Sequence, residues 1–278
     1  MCEFCTQHGE GKKWYLNASN YSTELLNELE RRKFIAHFYQ HTVENGNKSL
    51  SLLERILHRR LLLPKKIREQ HARRSKIHHF GQVIPLEEIS KILDITNNIV
   101  RVTCGCRWAF EKKESRTCYG LSVGPPHWYD LLDIDFFGSP EISQLEILTK
   151  EDALTAMAEA EQQGMMHSLW TFETPFIGAI CNCDNRYCLA MRVTLGQKMP
   201  VMFRAEFVAT VSADSCKGCK ACVEKCQFKA IDYHGKKKPV TIDATKCYGC
   251  GVCRAFCPED AISLVEREKH PVAGQFWM

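Results

Sequence analysis

Residues 216–226 read Cys216-Lys217-Gly218-Cys219-Lys220-Ala221-Cys222-Val223-Glu224-Lys225-Cys226, and residues 247–258 repeat the spacing as Cys247-Tyr248-Gly249-Cys250-Gly251-Val252-Cys253-Arg254-Ala255-Phe256-Cys257-Pro258. Three thiolates set two residues apart on a tight loop can wrap one face of an iron–sulfur cube, and the fourth, on the turn that follows, reaches the neighbouring cube. The doubled spacing therefore predicts two interlocked [4Fe–4S] sites. One takes Cys216, Cys219, Cys222 and Cys257; the other takes Cys247, Cys250, Cys253 and Cys226. Zinc is the rival ion, but a zinc ribbon uses two Cys-x-x-Cys pairs, whereas each run here offers a third and a fourth cysteine at cluster spacing.

Working outward, this unit fills about the last quarter of 278 residues, so something else occupies the rest. With 45% hydrophobic and 25% charged residues, large-scale disorder is excluded. No apolar run approaches the roughly 18 residues of a bilayer span, and Met1-Cys2-Glu3-Phe4-Cys5 lacks the apolar core of a secretory leader. A cytoplasmic protein is expected. Sixteen cysteines grouped in short-spaced pairs then point to metal binding in a reducing compartment rather than to a disulfide scaffold. The net charge of +4 is uneven, being +7 over residues 1–80, −6 over 81–212 and +3 over 213–278.

Three regions follow, in an α+β fold. Residues 1–80 form a basic helical region whose apolar spacing predicts a helical hairpin: a first helix capped by Ser22 or Thr23 and stopped by Asn45-Gly46-Asn47, and a second from Ser49 to before Pro64. From Arg55 to His79 lysines, arginines and four histidines face a single acid, Glu69. Such a run is either a solvated helical face or a docking surface for an acidic partner or for the acidic middle segment. It has no interleaved aromatic residues, and nucleic acid is not expected.

Residues 81–206 read as an α/β domain containing a duplicated unit of helix, strand, Cys-x-Cys and a trailing cysteine. The first copy runs from Pro85 through Ile99–Thr103 to Cys104-Gly105-Cys106 and Cys118. The second runs from Thr149, the cap of a helix to Gln163, through strands near 165–172 and 176–180 to Cys181-Asn182-Cys183 and Cys188. Both pairs are offset by the same number of residues, so two α–β units around a pseudo-two-fold axis would bring six thiols together. Each set of three is one short of a four-thiolate site, and Cys2 and Cys5 are candidates for the missing ligands. One or two further iron–sulfur clusters, zinc, or plain buried core cysteines all fit that arithmetic. His127 and His167 lie near in sequence and read as packing or surface residues rather than ligands.

Residues 207–278 form the third region. Over about 207–267 it resembles the bacterial-type two-[4Fe–4S] ferredoxins, on eight cysteines that match in number, order and spacing, with Gly218, Gly249 and Gly251 inside the ligand loops. The departure is Gln227, where that family usually has proline after the fourth cysteine; Pro258 keeps it in the second run. The resemblance implies one-electron transfer at low potential, with Lys217, Lys220, Lys225, Lys229 and Lys246 either tuning the clusters or serving as solubilising surface. More broadly, Cys104-Gly105-Cys106-Arg107, Thr117-Cys118, Glu151-Asp152-Ala153-Leu154, Gly164-Met165-Met166-His167 and Ile180-Cys181-Asn182-Cys183 upstream of such a unit resemble uncharacterised iron–sulfur proteins of anaerobes, which implies a redox role and extra metal sites.

No nucleotide-binding glycine fingerprint follows a strand and no P-loop is present. The expected function is an iron–sulfur electron-transfer subunit, passing electrons to or from a partner oxidoreductase in an anaerobe. The alternative is a redox enzyme in which the middle cysteines hold an iron–sulfur site that binds substrate.

Overall fold

A computed structural model describes residues 13–56, 63–126 and 145–277. Cys2, Cys5, His127 and most of the stretch from Gly124 to Ile147 lie outside the described residues.

The N-terminal layer is helical. Helix α1 (Thr23–Asn27) is capped by the Ser22 hydroxyl, which accepts from the Leu25 amide. Helix α2 (Leu29–His37) continues through a π-helical turn (Phe38–Thr42) directly into α3 (Val43–Ile56). The hairpin expected around Asn45-Gly46-Asn47 is therefore absent, because the helix runs through those residues. Tertiary contacts explain the override. Gly46 sits where a Cβ would come within 2.8 Å of Leu189 Cδ2, so its small size is used for close packing. Asn47 donates to the Ala109 carbonyl at 3.1 Å and accepts from Arg192 at 2.6 Å. A glycine in a helix costs about 1 kcal/mol relative to alanine, a penalty of the same size as one such hydrogen bond returns. The basic run supplies α4 (Lys65–His78), which starts after Pro64.

The middle region is a seven-stranded sheet. In chain order its elements are β1 (Gly81–Ile84), α5 (Leu86–Ile95), β2 (Asn98–Val102), α6 (Gly105–Glu111), β3 (Cys118–Ser122), β4 (Glu146–Ile147), α7 (Lys150–Gln162), β5 (Met166–Thr171), β6 (Ile177–Cys183), α8 (Leu189–Met191) and β7 (Met202–Phe203). The strand order is β4-β2-β3-β6-β5-β1-β7, antiparallel throughout except for β1 beside β7.

Helix α7 begins where the sequence predicts, with the Thr149 hydroxyl accepting from the Asp152 amide, and Gly164 at φ +88° follows its end. Helices α5 and α7 pack together and lead into the hairpins β2–β3 and β5–β6, which join along β3 and β6. Cys118 stands opposite Cys181 in that seam. Each of these helices thus leads into a pair of antiparallel strands. Cys181 and Cys183 lie within β6, whereas Cys104 stands at the start of α6, so the two Cys-x-Cys motifs occupy different local structures.

The sheet has two buried faces. Ile89, Ile92, Met157, Leu169, Ile180 and their neighbours fill the side covered by α5 and α7. The other face buries Val100, Met166, Trp170, Ala179 and Cys183 against Leu26, Ile35 and Met191. Period-two alternation places Cys181 and Cys183 on this second face and sends Asn182 and His167 to the first.

The C-terminal unit pairs β8 (Phe207–Val211) with β11 (Ile262–Glu266) and β9 (Ile231–Asp232) with β10 (Thr241–Ile242), antiparallel in both cases. The short helices α9 (Ala221–Lys225) and α10 (Val252–Ala255) carry the third cysteine of each run. Val208, Ala230, Ile231, Val240 and Ile262 form its own small core.

Candidate metal centres

The two cysteine runs fold as near copies. Gly218 and Gly249 adopt φ +61° and +73°, and Lys220 and Gly251, matched one turn on, adopt φ +75° and +86° before their helices. A Cβ on Gly249 would fall 2.0 Å from the Phe207 carbonyl oxygen, and one on Gly218 2.4 Å from that of Lys238, so both positions require glycine. The four-residue offset also repeats: the Ala230 amide donates to Cys226 Sγ at 3.3 Å and the Ala261 amide to Cys257 Sγ at 3.2 Å. Ala209 donates to Cys247 Sγ at 3.5 Å. Amide donors aimed at sulfur stabilise the thiolate form.

One pocket is lined by Cys216, Cys219, Cys222 and Cys257, and a second by Cys226, Cys247, Cys250 and Cys253. The cysteines are grouped as in the expected ligand sets. Burial pushes the Cys222 thiol up to about 11, with repulsion from Cys219, Cys257 and Cys216 added. Burial raises Cys253 further, beside Cys247, Cys226 and Cys222. Burial thus favours the neutral thiols, and holding the sulfurs as thiolates here would call for a polycationic partner; four sulfurs around each pocket suit a cubane core.

The surroundings differ. Cys219 is exposed, whereas Cys247 and Cys253 are buried. Beneath Cys247 lies Arg267, with no exposed surface, donating to the carbonyls of Ala205 (2.6 Å), Phe207 (2.8 Å) and Cys247 (2.9 Å). Its position was not legible in the sequence, where it is one more arginine near the end of a strand.

The six middle cysteines, three on strands β3 and β6 and three at the starts of α6 and α8, line one cavity of about 280 Å³. The thiols are electrostatic neighbours of one another: Cys104 of Cys106 and Cys118, Cys181 of Cys118 and Cys183, and Cys188 of Cys106 and Cys183. The neighbouring thiols hold Cys104 and Cys181 below the usual thiol range, while Cys106 and Cys118 are pushed up by the same neighbours and by burial. Ser168 Oγ lies 3.7 Å from Cys183 Sγ.

The rest of the wall comes from the N-terminal layer and the sheet: Phe38, Tyr39, His79, Trp170 and Phe172. His79 Nδ1 donates to the Thr171 carbonyl at 2.6 Å, its ring lies 5.0 Å from that of Trp170, and burial lowers it to about 4, so it is neutral. Arg107 pairs with Asp184 and its guanidinium lies 4.6 Å from the centre of the Tyr187 ring. His167 is outside this cavity, buried on the opposite face with Nδ1 2.7 Å from Asn182 Oδ1, and burial lowers it to about 4.

Among the described residues no three His, Cys, Asp or Glu side chains converge closely enough to hold a single metal ion.

Gln227 joins the six-cysteine cavity to the C-terminal unit. Its Nε2 donates to the carbonyls of Gly164 at 2.5 Å and Cys183 at 3.4 Å, and its Oε1 accepts from the Asn185 amide at 2.6 Å. Phe228 stacks on Tyr248 at 4.2 Å, and both pack in the same core as Cys183 and Cys188, with Cys181, Cys226 and Cys250 against it. Arg254 adds a salt bridge to Glu87 on α5.

Residues 215–262 match the family model described as a 4Fe-4S dicluster domain. No curated protein matches the chain. The match, to a short C-terminal stretch of the chain, supports iron–sulfur binding there and suggests electron transfer. No helix among the described residues is long and apolar enough to cross a membrane.

Proposed function

We propose that the chain is an iron–sulfur electron-transfer protein that relays single electrons between a partner oxidoreductase and its own middle region. The carrying observation is the placement of the two four-cysteine pockets. One presents the exposed Cys219, while the other packs into the core that also contains Cys183 and Cys188. When bound, [4Fe–4S] clusters supply reversible one-electron storage without bond chemistry at the cubes.

The chain's own residues then have separate roles. Cys216, Cys219, Cys222 and Cys257 hold the outer site, where a protein partner would dock. Cys226, Cys247, Cys250 and Cys253 hold the inner one. The Ala209, Ala230 and Ala261 amides support thiolate charge, and Arg267 places a fixed cation behind Cys247. Phe228, Tyr248 and Val252 exclude water between the inner site and the sheet. The partner is an oxidoreductase, and an anaerobic setting suits thiolate-held clusters with an exposed edge.

A second reading, a redox enzyme with its substrate at the middle cysteines, is favoured by cavity size. The six-cysteine cavity of about 280 Å³ far exceeds the roughly 10 and 20 Å³ left inside the two cluster pockets.

Iron and acid-labile sulfide measured on anaerobically purified protein test the proposal. At least about eight of each per chain are expected, and Cys253→Ser should damage one cluster selectively. Iron near four, or zinc in its place, refutes it.

A further inference from the structure

Three observations set the six-cysteine ring apart from an ordinary patch of core cysteines. First, the six thiols line one cavity, with Cys118 opposite Cys181, although they come from both halves of the sheet: Cys104, Cys106 and Cys118 from one, Cys181, Cys183 and Cys188 from the other. Buried cysteines used only as small apolar residues have no reason to share one cavity wall. Second, the cavity of about 280 Å³ has room for a polynuclear cluster, and six thiols exceed the four donors that a tetrahedral zinc ion takes. Third, the ring has a route for electrons. Cys181, Cys183 and Cys188 share one core with Cys226 and Cys250, and Gln227, next in sequence to Cys226, reaches the Cys183 carbonyl.

We propose that Cys104, Cys106, Cys118, Cys181, Cys183 and Cys188 hold one further iron–sulfur centre, a single polynuclear cluster spanning the two hairpin units, which exchanges electrons with the Cys226/Cys247/Cys250/Cys253 site. This replaces the expectation of two separate four-cysteine sites completed by Cys2 and Cys5: six thiols around one cavity are a sufficient donor set without them. The transfer is one electron at a time. The inner ferredoxin site is oxidised as the ring centre is reduced, or the reverse, and the partner at the outer site is the source or sink. The inference rests on the two-cluster reading, and its test separates the two.

The experiment uses the full chain, purified and reconstituted without oxygen. Iron, sulfide and zinc are quantified, and Mössbauer and EPR spectra are recorded before and after dithionite. The ring centre requires iron beyond that of the two ferredoxin sites, to about twelve or more per chain, and a third spectral component. Cys118→Ser combined with Cys181→Ser should remove that component and the excess iron while leaving about eight iron and the paired ferredoxin signals. Cys2→Ser with Cys5→Ser should remove neither.

Wild-type iron that stays near eight, with no third spectral component, overturns the ring centre and leaves the electron-transfer proposal standing. Zinc in the ring, or loss of the third component in the Cys2/Cys5 variant, also overturns it. Iron near zero overturns both readings. Should the Cys118/Cys181 variant fail to fold, the wild-type iron count and Mössbauer spectrum still decide the matter.

Discussion

Arg107 and Asp184, each the residue immediately after a Cys-x-Cys motif and 77 positions apart, form a salt bridge beside the six-cysteine cavity. The same offset separates Cys104 from Cys181 and Cys106 from Cys183. The residues that follow the two motifs therefore contact one another across the cavity wall. The pair also neutralises an arginine that would otherwise be poorly solvated beside a thiol-lined wall.

Gln227 is the departure from the usual proline of dicluster ferredoxins, and its side chain bridges Gly164, Cys183 and Asn185. Gln227→Pro should leave cluster content intact and destabilise the protein by about 2 kcal/mol, from the loss of two good hydrogen bonds at about 1 kcal/mol each. Anaerobic thermal melts should show a Tm lower by about 5 °C. An unchanged Tm would mean that these bonds contribute nothing to docking of the C-terminal unit.

Gly249 and Gly235 are both at positive φ, yet only the first lacks room for a methyl group. A Cβ on Gly249 would be 2.0 Å from the Phe207 carbonyl, whereas Gly235 has nothing within 4 Å. Gly249→Ala is expected to lose the inner cluster, about four iron per chain. Gly235→Ala should cost only about 1 kcal/mol of left-handed strain with full iron. Comparable iron loss in the two variants would contradict the assignment.

Arg267 donates to the Cys247 carbonyl from a fully buried position. A fixed positive charge favours the reduced, more negative state of a nearby cluster. Arg267→Met should therefore lower the potential of the inner cluster, on the order of tens of millivolts, and leave the outer one nearly unchanged. Potentiometric EPR titration resolves the two, and equal shifts at both sites would exclude this local role.

Glu206 is buried, accepts from Gln82 Nε2 at 3.1 Å, and is raised by burial to about 7 from an ordinary 4.5. Between those pH values the folded state keeps a proton that the unfolded state has lost, so stability falls as pH rises through this window and levels off above it. Glu206→Gln removes the fall. Its stability relative to wild type should improve from pH 5 to pH 8 by at most about 3 kcal/mol, read from denaturant melts at the two values. A pH-independent difference would show that Glu206 titrates normally.

The parts of this structure that were legible in the sequence are those set by local spacing. Eight cysteines at fixed intervals, with glycine in the loops, carry their own geometry, and Thr149 carries its cap. The meeting of the six middle thiols was visible only as an equal offset. Which thiol lies beside which is decided by the β3–β6 register, a long-range pairing with no local signature. Asn45-Gly46-Asn47 misleads because Leu189, Ala109 and Arg192, all distant in sequence, outweigh its turn propensity. Arg267 and Gln227 look like surface residues until the backbone carbonyls they serve are folded around them.

Cys118 faces Cys181 across the pairing that welds the two hairpins into one sheet. A ring that depends on that pairing cannot be presented by either hairpin alone, and its last thiol, Cys188, emerges from the ribosome after both have been made. The C-terminal motifs, by contrast, bring their ligands together within a short local stretch. Delivery of iron to the ring would thus follow the folding of the middle region, making completed strand pairing a checkpoint in the biogenesis of the protein.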